Sequence, residues 1–265
     1  MVFRKSQPCA AGQNAPPIHL NPAQKHHVQH PLTSCFWSGD TLRSRSRSVG
    51  DVVLCAALDV PALSARLMAD CDREALRLEL QAGDVEALSL PRARTRWLDY
   101  RRCVQAVDDW TYALGLPDVL AASSVALMAC RGANYHHDAA QYSAAAFCNL
   151  FLSEDKGLDL HFPATDQRIP LTRGTAVIFD TGQPHAVIQR GSSGFDAADF
   201  APGQDCSQFF LTWELPIEEV GHALGVAFDI APANLLHLNE DQLWLNGLPV
   251  TVCPDSGRWR TASPF

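Results

Sequence analysis

From Asp51 onward the apolar positions fall into short runs separated by turn residues, and their period changes along the chain. A first run, 52–56, is strand-like. Asp59 and Pro61 then predict a capped helix start ahead of Leu63, Leu67, Met68 and Cys71. Trp97, Tyr100, Val104, Val107 and Trp110 recur at three- and four-residue intervals before Gly115 and Pro117, which predicts the clearest amphipathic helix of the chain. Beyond it the pattern shortens to strands over 125–130, 147–152, 158–162, 175–179, 185–189 and 209–215, divided by turns such as 153–157 and 180–184. Helices therefore precede a mainly β core. Near the C-terminus, 243–252 reads as a hairpin turned at Asn246-Gly247, and no internal repeat is visible.

Charge and composition divide the 265 residues differently. Residues 1–48 carry six Lys and Arg against Asp40 alone, a balance of +5, whereas the whole chain has a net charge of −8, so the remainder carries −13. The first 48 residues, rich in Pro, Gln and Ser, are expected to be a flexible basic tail. Its Arg43-Ser44-Arg45-Ser46-Arg47-Ser48 run is suited to an acidic partner, and His26, His27 and His30 lie in it without carboxylates nearby, as solvated residues. One domain is expected over 49–220, with helical support at 57–118 and a core at 119–216, followed by a C-terminal extension at 221–265. An acidic core argues against a nucleic-acid partner. Nine cysteines, odd in number and without a Cys-x-x-Cys pair, point to neither a disulfide framework nor structural zinc, and so to a cytoplasmic protein. The longest apolar stretch, 119–130, is interrupted by Ser123-Ser124 and is too short for a membrane span. The amino terminus has no apolar run of the kind a signal peptide needs.

Tyr135-His136-His137-Asp138 and Gly182-Gln183-Pro184-His185 carry the chemistry. On a strand, residues two apart share a face, so His136 and Asp138 are expected to point together and His137 away. His185 lies 47 residues after Asp138, far enough for several short antiparallel strands to fold back and bring the two ends together. Two imidazoles and one carboxylate on one face of an octahedron leave three adjacent positions open, which suits a non-haem Fe(II) centre that binds O2 beside an oxidisable molecule.

In the order of these pieces, the chain resembles the prolyl-hydroxylase-like branch of the Fe(II)/2-oxoglutarate-dependent dioxygenases over roughly residues 51–216. The pieces are His136-x-Asp138, the Gly157-Leu158-Asp159-Leu160-His161-Phe162 strand entry, Gly174-Thr175-Ala176-Val177-Ile178-Phe179-Asp180, His185-Ala186-Val187 and a last core strand reaching Trp213. The resemblance implies a double-stranded β-helix, or jelly roll, preceded by helices, with Fe(II) held by His136, Asp138 and His185 and 2-oxoglutarate as cosubstrate. It also implies a cation about ten residues past the distal His to hold the far carboxylate of 2-oxoglutarate, since paired charges make strong, oriented bonds. Gly194 and Phe195 stand there, and anchoring on Trp213 instead gives Ser207 or Gln208. Arg190 is the first candidate anchor, with Ser207 adding a hydroxyl, and Arg131 the second. By strand parity Arg190 faces away from His185 and needs a bulge or turn to enter the site.

Two functional classes follow. One is an oxygenase that oxidises a C–H bond of a small molecule, amino acid or peptide with O2, with a related form that does not use 2-oxoglutarate. The other is a jelly-roll binding protein without catalysis, which the missing downstream cation supports.

Overall fold

The computed structural model describes residues 32–38, 43–89, 97–121, 123–201, 203–230 and 242–261. The chain enters on two paired strands, β1 (Thr33–Ser38) and β2 (Arg43–Ser48). Then come β3 (Leu54–Ala57), helix α1 (Ala65–Arg77), β4 (Val85–Ala87) and helix α2 (Tyr100–Ala113). The core continues with β5 (Val125–Cys130), β6 (Ala133–His136), a one-turn helix α3 (Ala139–Tyr142), β7 (Ala145–Phe151) and β8 (Leu158–Phe162). It closes with β9 (Gln167–Pro170), β10 (Thr175–Asp180), β11 (His185–Gln189) and β12 (Gln208–Pro216). A short α4 (Ile217–Val220) precedes β13 (Gln242–Leu245), β14 (Leu248–Val252) and β15 (Trp259–Thr261).

Two antiparallel sheets, β3-β10-β7-β12-β5-β4 and β6-β11-β8-β9, face one another as a jelly roll. Strand alternation decides what lies between them. Phe151, Val177 and Phe210 from the larger sheet meet Leu160, Phe162 and Val187 from the smaller one in a single apolar cluster. The intervening residues Cys148, Leu150, Ile178 and Trp213 point the other way, where α1 and α2 cover them with Leu67, Cys71, Cys103 and Val107. The expected order of helical support followed by a β core is what the chain adopts. No described helix is long and apolar enough to cross a membrane.

Helix α1 begins later than Asp59 and Pro61 suggest. Its cap is Ser64, whose Oγ accepts the Leu67 N–H at 3.3 Å. The preceding segment is tied to the barrel instead, because Leu58 N–H donates to Gly174 O at 2.8 Å and the Arg173 guanidinium donates to Val60 O at 2.7 Å.

The flexible-tail expectation fails for residues 33–38 and 43–48. These strands join a third sheet, β15-β14-β13-β1-β2, so the anticipated tail and C-terminal extension are parts of one layer. Composition conceals this because the buried positions of β1 and β2 include polar residues with partners. Ser34 Oγ donates to Ser143 Oγ at 3.1 Å, and Arg47 is wholly buried beneath Phe36, its guanidinium 5.9 Å from the ring centre. The predicted hairpin is present in this sheet, with Asn246 and Gly247 at φ 55° and 78°. His26, His27 and His30 lie outside the described residues.

Candidate metal centre

His136 ends β6 and His185 begins β11, and the pairing of these strands sets the two residues opposite each other. Asp138 joins them by a route that strand parity does not describe. The strand ends at His136, the backbone at Asp138 turns to φ −102°, ψ 0° ahead of α3, and the Asp138 N–H donates to Thr181 O at 2.8 Å. The carboxylate thereby faces both imidazoles, at 3.7 Å from His136 Nε2 and 3.5 Å from His185 Nε2. The two rings are 4.4 Å apart, and one ligand atom from each residue falls within 4.8 Å of the others. His137 points away, as expected, and packs 5.8 Å from the Trp259 ring.

Each imidazole is oriented by a carbonyl, which can only accept. His136 Nδ1–H donates to Asn134 O at 2.7 Å and His185 Nδ1–H to Gln183 O at 3.0 Å, leaving both Nε2 lone pairs facing Asp138. Burial, reinforced by the neighbouring His136 imidazole, pushes the His185 imidazolium down to about 3. Burial also pushes the Asp138 carboxyl above its usual range, against the lowering influence of His136 and His137. Two neutral nitrogen donors and a desolvated carboxylate, converging from fixed backbone positions, fit one divalent ion.

The turn between β10 and β11 ties both halves of the trio together. Thr181 accepts from Asp138 N–H through its carbonyl, and its hydroxyl reaches Tyr142 O at 2.7 Å and Ala145 O at 2.9 Å. Asp180 is buried and accepts from Arg47 Nη1 at 2.6 Å and Nη2 at 3.0 Å, from Gly50 N–H at 2.8 Å and from Gly182 N–H at 2.8 Å. Sequence reasoning missed Arg47, Asp180 and Thr181. The available signal was a carboxylate ending an otherwise apolar strand, which requires a buried partner.

The three candidate anchors are not brought to this site. Arg190 has the same parity as Ala186 and Ile188, which pack outside the barrel with Tyr135. Its guanidinium donates to Asp159 at 2.8 Å and to both Asp155 oxygens at 2.9 and 3.0 Å, and those carboxylates push its pKa further up. Arg131 donates to the carbonyls of Phe200, Ala201 and Gln204. Ser207 precedes β12, at the end opposite Pro216, which pairs with Ala145 beside the Thr181 turn. No Lys or Arg is among the inward-facing residues of the described core strands, so their wall does not fit the far carboxylate of 2-oxoglutarate. A separate groove of about 700 Å3, lined by Asn134, Phe195, Asp196, Asp199 and Asp255 among others, does not include the trio.

No family profile and no curated protein sequence matches the chain. Among solved structures, it is similar to a Pseudomonas putida prolyl-4-hydroxylase, with 18% identity over 62% of this chain and 91% of that one and a TM-score of 0.36. It is also similar to a viral collagen prolyl hydroxylase from Paramecium Bursaria Chlorella virus-1, with 10% identity, coverage of 63% and 96%, and a TM-score of 0.36. A third match is the non-heme alpha ketoglutarate dependent epimerase SnoN from nogalamycin biosynthesis, with 14% identity, coverage of 62% and 78%, and a TM-score of 0.32. At this level of similarity the chemistry is read from the site's own residues.

Proposed function

We propose that the chain is a mononuclear non-haem Fe(II) oxygenase that oxidises a C–H bond of a small molecule, amino acid or peptide. The observation that carries this reading is the convergence of His136, Asp138 and His185, with both imidazoles presenting Nε2 because their Nδ1 protons are committed to backbone carbonyls. Fe(II) bound there would supply the redox chemistry that turns O2 into an oxidant of C–H bonds. The chain's own part is positional. Asp138 neutralises one charge of the ion, the Asn134 and Gln183 carbonyls hold the rings, and Phe162 and Phe179 pack against His185 at 6.1 and 4.8 Å to keep water from its inner side.

2-Oxoglutarate is the cosubstrate implied by the family resemblance. The outward engagement of Arg190 and Arg131 favours a second reading, an Fe(II) oxygenase of the same fold that does not use it. The intact trio weighs against a binding protein without catalysis. Anaerobic titration of the metal-free protein with Fe(II) tests the shared core of both readings. One equivalent should bind in the unaltered chain and none in His185→Ala; absence of stoichiometric binding in the unaltered chain would overturn them.

A further inference from the structure

The trio is open on the His136 side. The His136 side chain is 38% exposed and that of Asp138 23%, whereas His185 is 8% exposed, so a substrate reaches the ion past His136. The backbone shapes that approach. Ala133 pairs with Val187 and His136 with His185, three steps along β6 against two along β11, so β6 carries a bulge at Asn134 and Tyr135. The bulge buries Tyr135 on the outer side of the barrel and leaves Asn134 exposed. Asn134 thereby joins two features, since its carbonyl holds the His136 ring and the residue lines the groove of about 700 Å3.

Three segments far apart in sequence build that groove: β6 through Asn134, the loop between β11 and β12, and the turn after β14 through Pro254 and Asp255. They are tied in place. Tyr135 N–H donates to Pro254 O at 3.2 Å, Ser192 Oγ to Asp199 Oδ2 at 2.9 Å, and Arg168 of β9 to Ser192 O at 2.9 Å. The lining carries three carboxylates, Asp196, Asp199 and Asp255, and neither Lys nor Arg. Asp196 Oδ1 accepts the Ala198 N–H, which leaves its other oxygen, the other oxygen of Asp199 and both of Asp255 without a partner among the described residues. A concave lining of one sign, next to an ion whose substrate must approach from that side, selects by charge. Length sets the second constraint. Asn134 and His136 are two residues apart, at most roughly 7 Å, and a molecule that touches both groove and ion must span at least that.

Resting on the Fe(II) reading, we propose that the groove is the specificity subsite for a peptide substrate and takes one of its Lys or Arg side chains. An extended chain advances roughly 3.3 Å per residue, which sets the basic residue about two to four positions from the residue oxidised at the metal. Asn134, Ser192 and Ser193 offer hydrogen-bonding side chains to the peptide backbone as it crosses.

The test loads the full chain with Mn(II), which the same nitrogen and carboxylate donors accept and whose unpaired electrons broaden nearby proton resonances. The probes are acetylated, amidated heptapeptides of Gly and Ser that differ only in the central residue, Lys, Arg, Gln or Glu. The Lys and Arg peptides should bind about three- to tenfold tighter than the Gln peptide, the scale of one or two exposed ion pairs, and the Glu peptide should bind more weakly still. Broadening should be greatest two or more residues away from the Lys or Arg. Asp196→Asn combined with Asp255→Asn, in which Asn keeps the cap at 196, should abolish the preference while one metal ion still binds. Asp70→Asn combined with Asp109→Asn, on the two covering helices, should leave the preference intact, which separates the groove from the net negative charge of the chain. Equal binding of the four peptides, broadening greatest at the central residue, a preference that survives the groove substitutions, or one lost equally in the helix variant overturns the inference and leaves the metal centre standing. Failure to bind the metal overturns both.

Discussion

Arg47 and Asp180 form a two-pronged ion pair with both side chains sealed from solvent, joining a strand near the amino terminus to the turn that presents His185. The pair is fully supplied with partners. Arg47 Nε donates to Ser143 O at 2.8 Å and Nη1 to Ser48 O at 3.1 Å, while Asp180 also accepts two backbone N–H groups. A buried ion pair adds little net stability when geometry and satisfaction are good, but removing one partner strands the other charge. The consequence for function is geometric. Asp180, Thr181 and Gln183 together fix the start of β11 and the carboxylate of Asp138.

Arg47→Met should therefore destabilise the protein by about 3–5 kcal/mol and weaken Fe(II) binding. Replacing both partners, Arg47→Met with Asp180→Asn, should recover part of the loss, because no buried charge is left alone. Starting the chain at Gly50 removes β1, β2 and Arg47 together, so it should fold poorly and lose the metal. Urea unfolding with parallel Fe(II) titration checks all three. A Gly50-start protein with undiminished stability and metal affinity would show that the pair has no positioning role.

The trio makes a sharper prediction. His136→Ala, Asp138→Ala and His185→Ala should each abolish stoichiometric Fe(II) binding, whereas His137→Ala should retain it, since His137 packs beside Trp259 and points away. Equilibrium dialysis against Fe(II), with circular dichroism to verify folding, decides between these outcomes. Metal loss in His137→Ala equal to that of the other three would reject the ligand assignment.

Much of the barrel was legible because its strands are apolar on both faces. In β10, Ala176 and Ile178 feed the helix-covered layer while Val177 and Phe179 feed the interior, so the whole segment reads as hydrophobic. The trio was legible from residue type and separation, although Asp138 arrives by a backbone bond to Thr181 rather than by alternation. The β1–β2 part of the third sheet was not legible. Its buried members include Ser34 and Arg47, whose burial depends on Ser143 and Asp180, partners 109 and 133 residues distant. Polar burial satisfied over such separations leaves no local period to read. Arg190 illustrates the converse, since its parity pointed outward and the carboxylates of Asp155 and Asp159 receive it there.

From that placement, Arg190→Met should leave Fe(II) affinity and the affinity of any metal-chelating oxo acid unchanged within about twofold, the same being expected of Arg131→Met. The pair with Asp155 lies at the surface and is worth about 0–1 kcal/mol, but Asp159 is buried, so Arg190→Met also leaves that carboxylate short of a partner and should lower stability by about 1–3 kcal/mol more. A tenfold or larger loss of chelator affinity in Arg190→Met, with Fe(II) binding intact, would return it to the site.

Acid should destabilise the metal-free protein in a defined window. Burial holds His185 neutral, with its imidazolium lowered to about 3 from an ordinary 6.5. Between those values the unfolded chain takes up a proton that the folded chain refuses. The contribution to stability is thus complete above pH 6.5 and declines as the pH falls toward 3. His137 and His161, both lowered chiefly by burial, add in the same direction. Asp138, raised by burial, is protonated earlier in the folded chain than in the unfolded one and so opposes them as the pH falls. The urea midpoint of the metal-free protein should fall between pH 7 and 5, less steeply in His185→Gln; a flat midpoint in the unaltered chain over that interval would count against a buried neutral His185.

Gly174 and Gly191 share a φ of +88° yet should respond differently to the same substitution. A β-carbon on Gly191 would meet nothing within 4 Å, so Gly191→Ala carries only the backbone strain of a left-handed residue, about 1–2 kcal/mol. On Gly174 it would lie 2.1 Å from Leu58 O, in the contact that joins the β9–β10 turn to the segment after β3. That contact cannot open cheaply, because Leu58 N–H donates to Gly174 O at 2.8 Å and Gly174 N–H to Phe151 O at 2.9 Å. Gly174→Ala should add about 1–3 kcal/mol for the forced backbone shift to the same strain. Both variants should still bind one Fe(II), since neither position touches the trio or its turn. Urea denaturation of the two proteins side by side isolates the steric part, and equal losses would mean that the Gly174–Leu58 approach is looser than 2.1 Å implies.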